Sequence, residues 1–195
     1  DERELNEVRV CFNLPQKFIL ALGSKKKRKN IEGLIKAYSI FINKYQLDYK
    51  LVITNMKQSD VPSFSFLDEK TRNNIIFLEY VPLDKFTILY NLSSLFVYPS
   101  LYEGFGFPPL EAMACRVPVL ASNTSCLPEI IDDAGLLVNP YKEEEIADGI
   151  NRLLTDEESR NIYINKGFER IKNFDWKKAA IETMNVYKSV FNKYA

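Results

Sequence analysis

Phe18-Ile19-Leu20-Ala21-Leu22 is an unbroken apolar run closed by Gly23, and runs of the same kind recur along the chain. A strand with one wet face alternates apolar and polar residues. A strand apolar at every position is covered on both faces, as in a parallel sheet. Leu51-Val52-Ile53, Ile75-Ile76-Phe77-Leu78, Leu95-Phe96-Val97-Tyr98, Val117–Ala121 and Gly135-Leu136-Leu137-Val138 follow the first run. Helical segments separate them. Ile31, Leu34, Ile35, Tyr38 and Ile42 recur at helical spacing and predict an amphipathic helix over Asn30–Tyr45. Shorter helices are expected at Asp68–Arg72, Asp84–Asn91, Pro109–Cys115 and Leu127–Ile131, and a polar loop at Asn55–Ser65. After Pro140 the pattern becomes helical over Lys142–Leu154, Asp156–Lys172 and Trp176–Tyr194, with Asp175 as N-cap of the last. Strands alternating with helices predict an α/β fold: a single Rossmann-like, doubly wound parallel sheet of about six strands with C-terminal helices. Ligands of such sheets bind beyond the carboxyl ends of the strands. That rule directs attention to the loops after Gly23, Leu78 and Pro99.

Composition removes several alternatives. The chain has 195 residues, enough for one large domain or two small ones, and its 26 basic and 26 acidic side chains cancel. Neutral overall charge gives no sign of a nucleic-acid partner, despite the basic run Lys25-Lys26-Lys27-Arg28-Lys29. There is no histidine, which excludes a histidine-based triad or a histidine-ligated metal within these residues. Cys11, Cys115 and Cys126 lack metal-ligand spacing and read as reduced, partly buried thiols of a cytoplasmic protein. No apolar run approaches the roughly 18 residues of a membrane span, so no transmembrane segment is expected. The charged first seven residues do not read as a signal peptide.

The loop after the fourth strand carries the most chemistry. Glu103 is followed by Gly104-Phe105-Gly106, then Phe107-Pro108-Pro109, then Glu111, expected in the first turn of the next helix. Glycines let a backbone approach a ligand closely, and a helix start offers free N–H donors suited to phosphate. Glu111 there would be favoured by the helix dipole and would be able to accept hydrogen bonds from two ribose hydroxyls. Glu103 stands where it would hold a sugar hydroxyl. On spacing alone, an ordinary turn with two surface glutamates accounts for the pattern equally well. The dinucleotide fingerprint is absent, since the first strand leads into Gly23-Ser24-Lys25. In the basic loop, Lys25, Lys26 and Lys27 read as a solvated cluster. Lys29, next to a helix start, is placed to neutralise a diphosphate, and Arg28 either assists it or faces solvent.

The stretch from Val97 to Ala114, with seven residues between Glu103 and Glu111, resembles the signature of the group 1 retaining glycosyltransferases of GT-B fold. Pro118–Ser122, Leu127-Pro128-Glu129, Arg28-Lys29-Asn30, Gly135–Pro140 and Phe174-Asp175-Trp176 continue the likeness, which runs from about Phe18 to Tyr194. The resemblance implies a nucleotide-diphosphate sugar as donor substrate, UDP-, GDP- or ADP-linked, with no metal and no other cofactor. It gives catalytic roles to Glu103, on the transferred sugar, and to Lys29, on the departing diphosphate. It gives Glu111 the ribose, and Gly104, Phe105, Gly106 and Phe107 backbone contacts to sugar and diphosphate. Gly23 and Ser24 would complete the donor site. Val81 would meet the base through its backbone, although a buried apolar anchor explains that residue as well. Three positions depart from the family pattern: Ser24 stands where arginine is common, and Arg116 and Asp132 stand where glycine is frequent.

GT-B enzymes have two Rossmann-like domains, the acceptor domain first. The resemblance therefore assigns residues 1–17 to an inter-domain connection and 18–174 to the donor-binding domain. Residues 175–195 become a terminal helix packing back towards an N-terminal acceptor domain not included here. It implies transfer to a glycan or lipid-linked acceptor in polysaccharide or glycolipid assembly, in a cytoplasmic setting, with any membrane association belonging to the first domain. These residues alone are expected to be inactive. Other readings of the same residues are a non-catalytic nucleotide-sugar-binding subunit of a split glycosyltransferase, a sugar-nucleotide epimerase, and a degenerate domain that binds nothing.

Overall fold

The computed structural model describes residues 2–194, leaving aside the side chains of Ser63, Phe66 and Tyr194. Asp1 and Ala195, the outer ends of the first and last expected segments, lie outside the described residues. Six strands form one parallel sheet: β1 (Phe18–Leu22), β2 (Lys50–Thr54), β3 (Ile75–Leu78), β4 (Leu95–Tyr98), β5 (Val119–Ser122) and β6 (Leu136–Val138). Their order is β3-β2-β1-β4-β5-β6. The helices are α1 (Glu2–Cys11), α2 (Ile31–Tyr45), α3 (Glu69–Asn73), α4 (Phe86–Leu92), α5 (Phe107–Ala114), α6 (Leu127–Ile131), α7 (Glu143–Thr155), α8 (Glu157–Arg170) and α9 (Trp176–Tyr194).

The unbroken apolar runs follow from the two covered faces. Successive strand side chains point to opposite faces, so Ile19, Ala21, Leu51, Ile53, Val97 and Leu120 enter one core, with Leu34 and Phe41 of α2 and Ile146 and Ile150 of α7. Phe18, Leu20, Val52, Phe96, Val119 and Ala121 enter the other, with Val8, Leu89, Tyr90, Leu110, Met113 and Ile130. Each such side chain contributes at most about 1.5–3 kcal/mol of hydrophobic stabilisation. The chain winds outwards from β1 to β3, then returns to place β4 on the other side of β1. The loops after β1 and β4 therefore diverge to opposite faces and leave a crevice between them.

Several expected elements shift. No element is expected before Phe18, yet residues 2–11 form α1, which packs against α4 and buries Val8. Its single deeply buried side chain explains why no periodicity marks it. The Asn55–Ser65 loop contains two 3-10 turns, Gln58–Asp60 and Pro62–Phe66. The most consequential correction concerns α5. It begins at Phe107 rather than Pro109, because Gly106 adopts φ 116° and turns the chain into the helix. Glu111 thus sits in the second turn, and the dipole argument for it does not hold. Arg116 takes the left-handed conformation expected of its position (φ 56°), and Asp132 adopts φ 55°, ψ −129°, a region favouring glycine. Cys11 is exposed rather than partly buried. Asp175 caps α9 by accepting from Lys177 N at 2.6 Å. Every described side chain of α9 is exposed.

Candidate functional site

The crevice is built from two loops clipped together. After β1, Gly23 N–H donates to Thr54 O at 2.9 Å, and a Cβ on Gly23 would lie 2.2 Å from that same carbonyl. Only glycine lets the chain leave β1 so close to β2. A 3-10 turn over Lys27–Lys29 follows, and Asn30 ends it in the left-handed conformation, its side chain donating to Pro140 O at 2.8 Å. Across the crevice, Leu101 N–H donates to Arg28 O at 2.7 Å. That bond fixes the basic turn against the segment leaving β4.

Glu103 is the centre of the arrangement. It is only 8% exposed, so it is not the surface residue that spacing alone would allow. Arg28 Nη1 donates to its Oε2 at 2.6 Å and also to Tyr102 O at 3.1 Å. Lys29 Nζ lies 2.7 Å from Oε1 and donates to Tyr98 Oη at 2.6 Å. The Lys29–Oε1 contact is one of charge. Beyond that contact, Oε1 is buried without a hydrogen-bond partner among the described residues. Burial acts to raise the Glu103 pKa, but Lys29, Ser100 and Arg28 outweigh it and hold the carboxyl below its ordinary value. Burial, then the Glu103 charge, raises the pKa of Tyr98, so its hydroxyl stays protonated beside Lys29. Two cations against one carboxylate leave one positive charge in excess, which suits an anionic ligand.

The loop carrying Glu103 is held by the turn after β5. Glu103 N–H donates to Ser125 Oγ at 3.1 Å, Thr124 donates to Leu101 O at 3.2 Å, and Cys126 Sγ to Phe105 O at 2.9 Å. The two loop glycines differ. Gly106 needs its positive φ, and a Cβ there would meet Leu127 at 3.0 Å. Gly104 has no positive φ, is exposed, and a Cβ there would meet nothing within 4 Å. The fold does not require glycine at 104. Its bare backbone leaves room for something outside the chain.

Glu111 lies on the exposed edge of α5, where its Oε2 accepts a hydrogen bond from Tyr90 at 3.0 Å. It borders two grooves. One, of about 760 Å³, includes Phe105, Phe107, Phe174 and Trp176, with Phe107 stacked on Trp176 at 5.9 Å. The other, of about 520 Å³, includes Leu22, Leu83, Phe86 and Tyr90. The structure thus joins Lys29 and Glu103 at the crevice with Gly104 next in sequence, leaves Gly23 at the root of the first loop against β2, and places Phe105, Phe107 and Glu111 along the larger groove. Ser24 instead borders a separate basic pocket of about 290 Å³, with Lys25 and Asp60, which form an ion pair at 2.8 Å. Val81 is buried, 4% exposed, in the core beside α4. Sequence reasoning left Arg28 open between assisting Lys29 and facing solvent, because it lies inside a basic run. It missed Tyr90 and Tyr98 because each reads as an ordinary apolar position of its helix or strand. Among the described residues, no three His, Cys, Asp or Glu side chains converge as a metal-binding group, and no helix is long and apolar enough to cross a membrane.

The sequence matches the family model described as Glycosyl transferases group 1 over residues 3–170. It is 38% identical over 188 residues to O-antigen chain mannosyltransferase B of Escherichia coli, an alignment covering 91% of this chain and 49% of that protein. Among solved structures, the sucrose-phosphate synthase of Thermosynechococcus elongatus superposes with a TM-score of 0.77 at 27% identity, covering 96% of this chain and 49% of that one. The C-terminal domain of a group 1 family glycosyl transferase (LpcC) from Francisella tularensis superposes with a TM-score of 0.69 at 26% identity, covering 88% of this chain and 90% of that one. The chain therefore spans about half the length of the curated relative it matches.

Proposed function

The chain belongs to the group 1 glycosyl transferases, and from that premise we propose that it is the donor-binding domain of a retaining enzyme that takes a sugar from a nucleotide-diphosphate donor to a hydroxyl acceptor. The observation that carries this reading is the crevice itself: Arg28 and Lys29 converge on the buried Glu103, next to a Gly104 that no packing constraint explains. In this reading the diphosphate lies against Lys29 and Arg28. Their fixed positive charge stabilises the nucleoside diphosphate as it departs, which is the largest electrostatic demand of the reaction and one these cations meet without a metal. The backbone from Gly104 to Phe107 follows the sugar and diphosphate. Glu103 holds a hydroxyl of the transferred sugar, and Glu111 the ribose hydroxyls. Val81 marks the base end through its backbone. Mannose is the first donor sugar to test, given the mannosyltransferase named above, and O-antigen-like polysaccharide or glycolipid assembly is the proposed setting. The acceptor site belongs to a first domain, against which the exposed α9 is proposed to pack. Without that domain these residues catalyse little transfer.

Calorimetric titration with UDP, GDP, ADP and their sugar conjugates tests the proposal. Selective binding of one nucleotide, weakened by Glu111→Ala, is the expected result. Failure of every nucleotide to bind at millimolar concentration, in this chain and in a parent containing both domains, would overturn it.

A further inference from the structure

Glu111 and Ala114 are one helical turn apart on α5, and both border the two grooves that flank it. A glutamate on such a ridge has several rotamers open to it, and freezing a flexible side chain on binding carries an entropic cost. Tyr90 borders only the smaller groove. Its ring is buried, 2% exposed, and packs edge-on against Phe96 at 5.2 Å between centroids, so α4 and β4 fix its position. Its hydroxyl donates to Glu111 Oε2 at 3.0 Å. Burial, and then the negative charge of Glu111, raises the Tyr90 pKa far above that of a free phenol, so the hydroxyl remains a donor at any physiological pH.

We infer that Tyr90 is a positioning residue for nucleotide recognition, tethering one oxygen of Glu111 beside the smaller groove so that the other is presented to the ribose there. The inference rests on the proposed donor site and adds to it the side of α5 on which the nucleoside lies. Without the tether, Glu111 is free to swing towards the larger aromatic groove, and nucleotide binding must then order it.

Tyr90→Phe removes the donor and keeps the ring against Phe96. Wild type and variant are titrated with the nucleoside diphosphate that wild type selects and with its 2′,3′-dideoxy counterpart, with melting temperatures measured alongside. The variant is expected to bind the ribonucleotide roughly tenfold more weakly, the scale of one hydrogen bond to a charged group, and the dideoxy compound as wild type does. Adding Tyr90→Phe to Glu111→Ala is expected to cost nothing further. Unchanged ribonucleotide affinity in the variant overturns the inference, and so does an equal loss on both ligands, the signature of a merely structural role. The wild type tests the underlying reading separately. If it binds ribo- and dideoxynucleotide equally, the assignment of Glu111 to the ribose fails, and the inference falls with it.

Discussion

Glu103 and Glu111 close the two ends of one loop and helix, and their surroundings are opposite. Glu103 is 8% exposed, touched by two cations, and held by its own backbone N–H on Ser125. Glu111 is exposed and takes one hydrogen bond from a phenol. A carboxylate enclosed by cations is part of the framework of the crevice, and a ligand reaches it only by exchanging partners. An exposed carboxylate with one tether contributes little to the framework and keeps an oxygen for a ligand. Spacing alone allows two surface acids, whereas the structure separates a buried carboxylate held by two cations from an exposed one held by a single phenol.

The largest expected effect breaks that comparison if it fails. Glu103→Ala leaves Arg28 and Lys29 facing each other without their counter-charge. Breaking a fully buried pair costs about 3–5 kcal/mol, but these cations reach solvent, so a loss of about 1–3 kcal/mol is expected. Glu111→Ala removes no core contact but takes the acceptor from the Tyr90 hydroxyl at the edge of the smaller groove, and is expected to cost about 0.5–1 kcal/mol. Urea unfolding of both variants measures the difference. Binding reverses the ranking. Glu103→Ala frees two cations, so it keeps or tightens the nucleoside diphosphate while losing the preference for the sugar conjugate. Equal stability losses in the two variants would erase the distinction.

A smaller effect sharpens it. The Glu103 carboxyl is held below its ordinary pKa, so its contribution to stability is complete above the unfolded-state value, near 4.3 for glutamate. It is lost as the pH falls through the folded-state value, because the unfolded chain takes up the proton first. The stability gap between wild type and Glu103→Gln is therefore expected to stay constant around neutrality and narrow below about pH 4.5. A gap that widens in acid would mean that the cations do not dominate burial at Glu103.

The sheet was legible because burial on both faces leaves a pattern that needs no partner to interpret. Phe18–Leu22 and Leu95–Tyr98 were readable to the residue. The apolar run places the start of β5 two residues too early: Pro118 accepts from Phe96 N–H at 3.0 Å but has no N–H of its own to give, and the strand begins at Val119. α1 was not legible, since a helix burying little more than Val8 has no stripe. Within the site, the signature located Glu103, Lys29 and Glu111 but not their environments. Those depend on contacts such as Arg28 to Glu103 and Tyr90 to Glu111, which join residues 75 and 21 positions apart. Local spacing carries no record of such pairs. Nor could it show that Gly106 rather than Pro109 sets the start of α5, because the decisive fact is a backbone angle.

The smallest effect concerns the two glycines between the glutamates, and it asks whether the Glu103 end is shaped for the fold or for a ligand. Gly106 takes a φ of 116°, where an L-residue is strained, and its missing Cβ faces Leu127. Gly106→Ala is expected to lose about 1–2 kcal/mol of stability, the cost of that conformation. Gly104 has neither constraint. Gly104→Ala is expected to leave stability within about 0.5 kcal/mol of wild type, or to raise it slightly by restricting the unfolded chain. If the open space at 104 exists for a sugar diphosphate, the same methyl group must weaken the sugar conjugate while the melting temperature holds. A Gly104→Ala variant that binds the donor as wild type does would mean that the ligand passes elsewhere, and that the unexplained glycine has no part in the crevice.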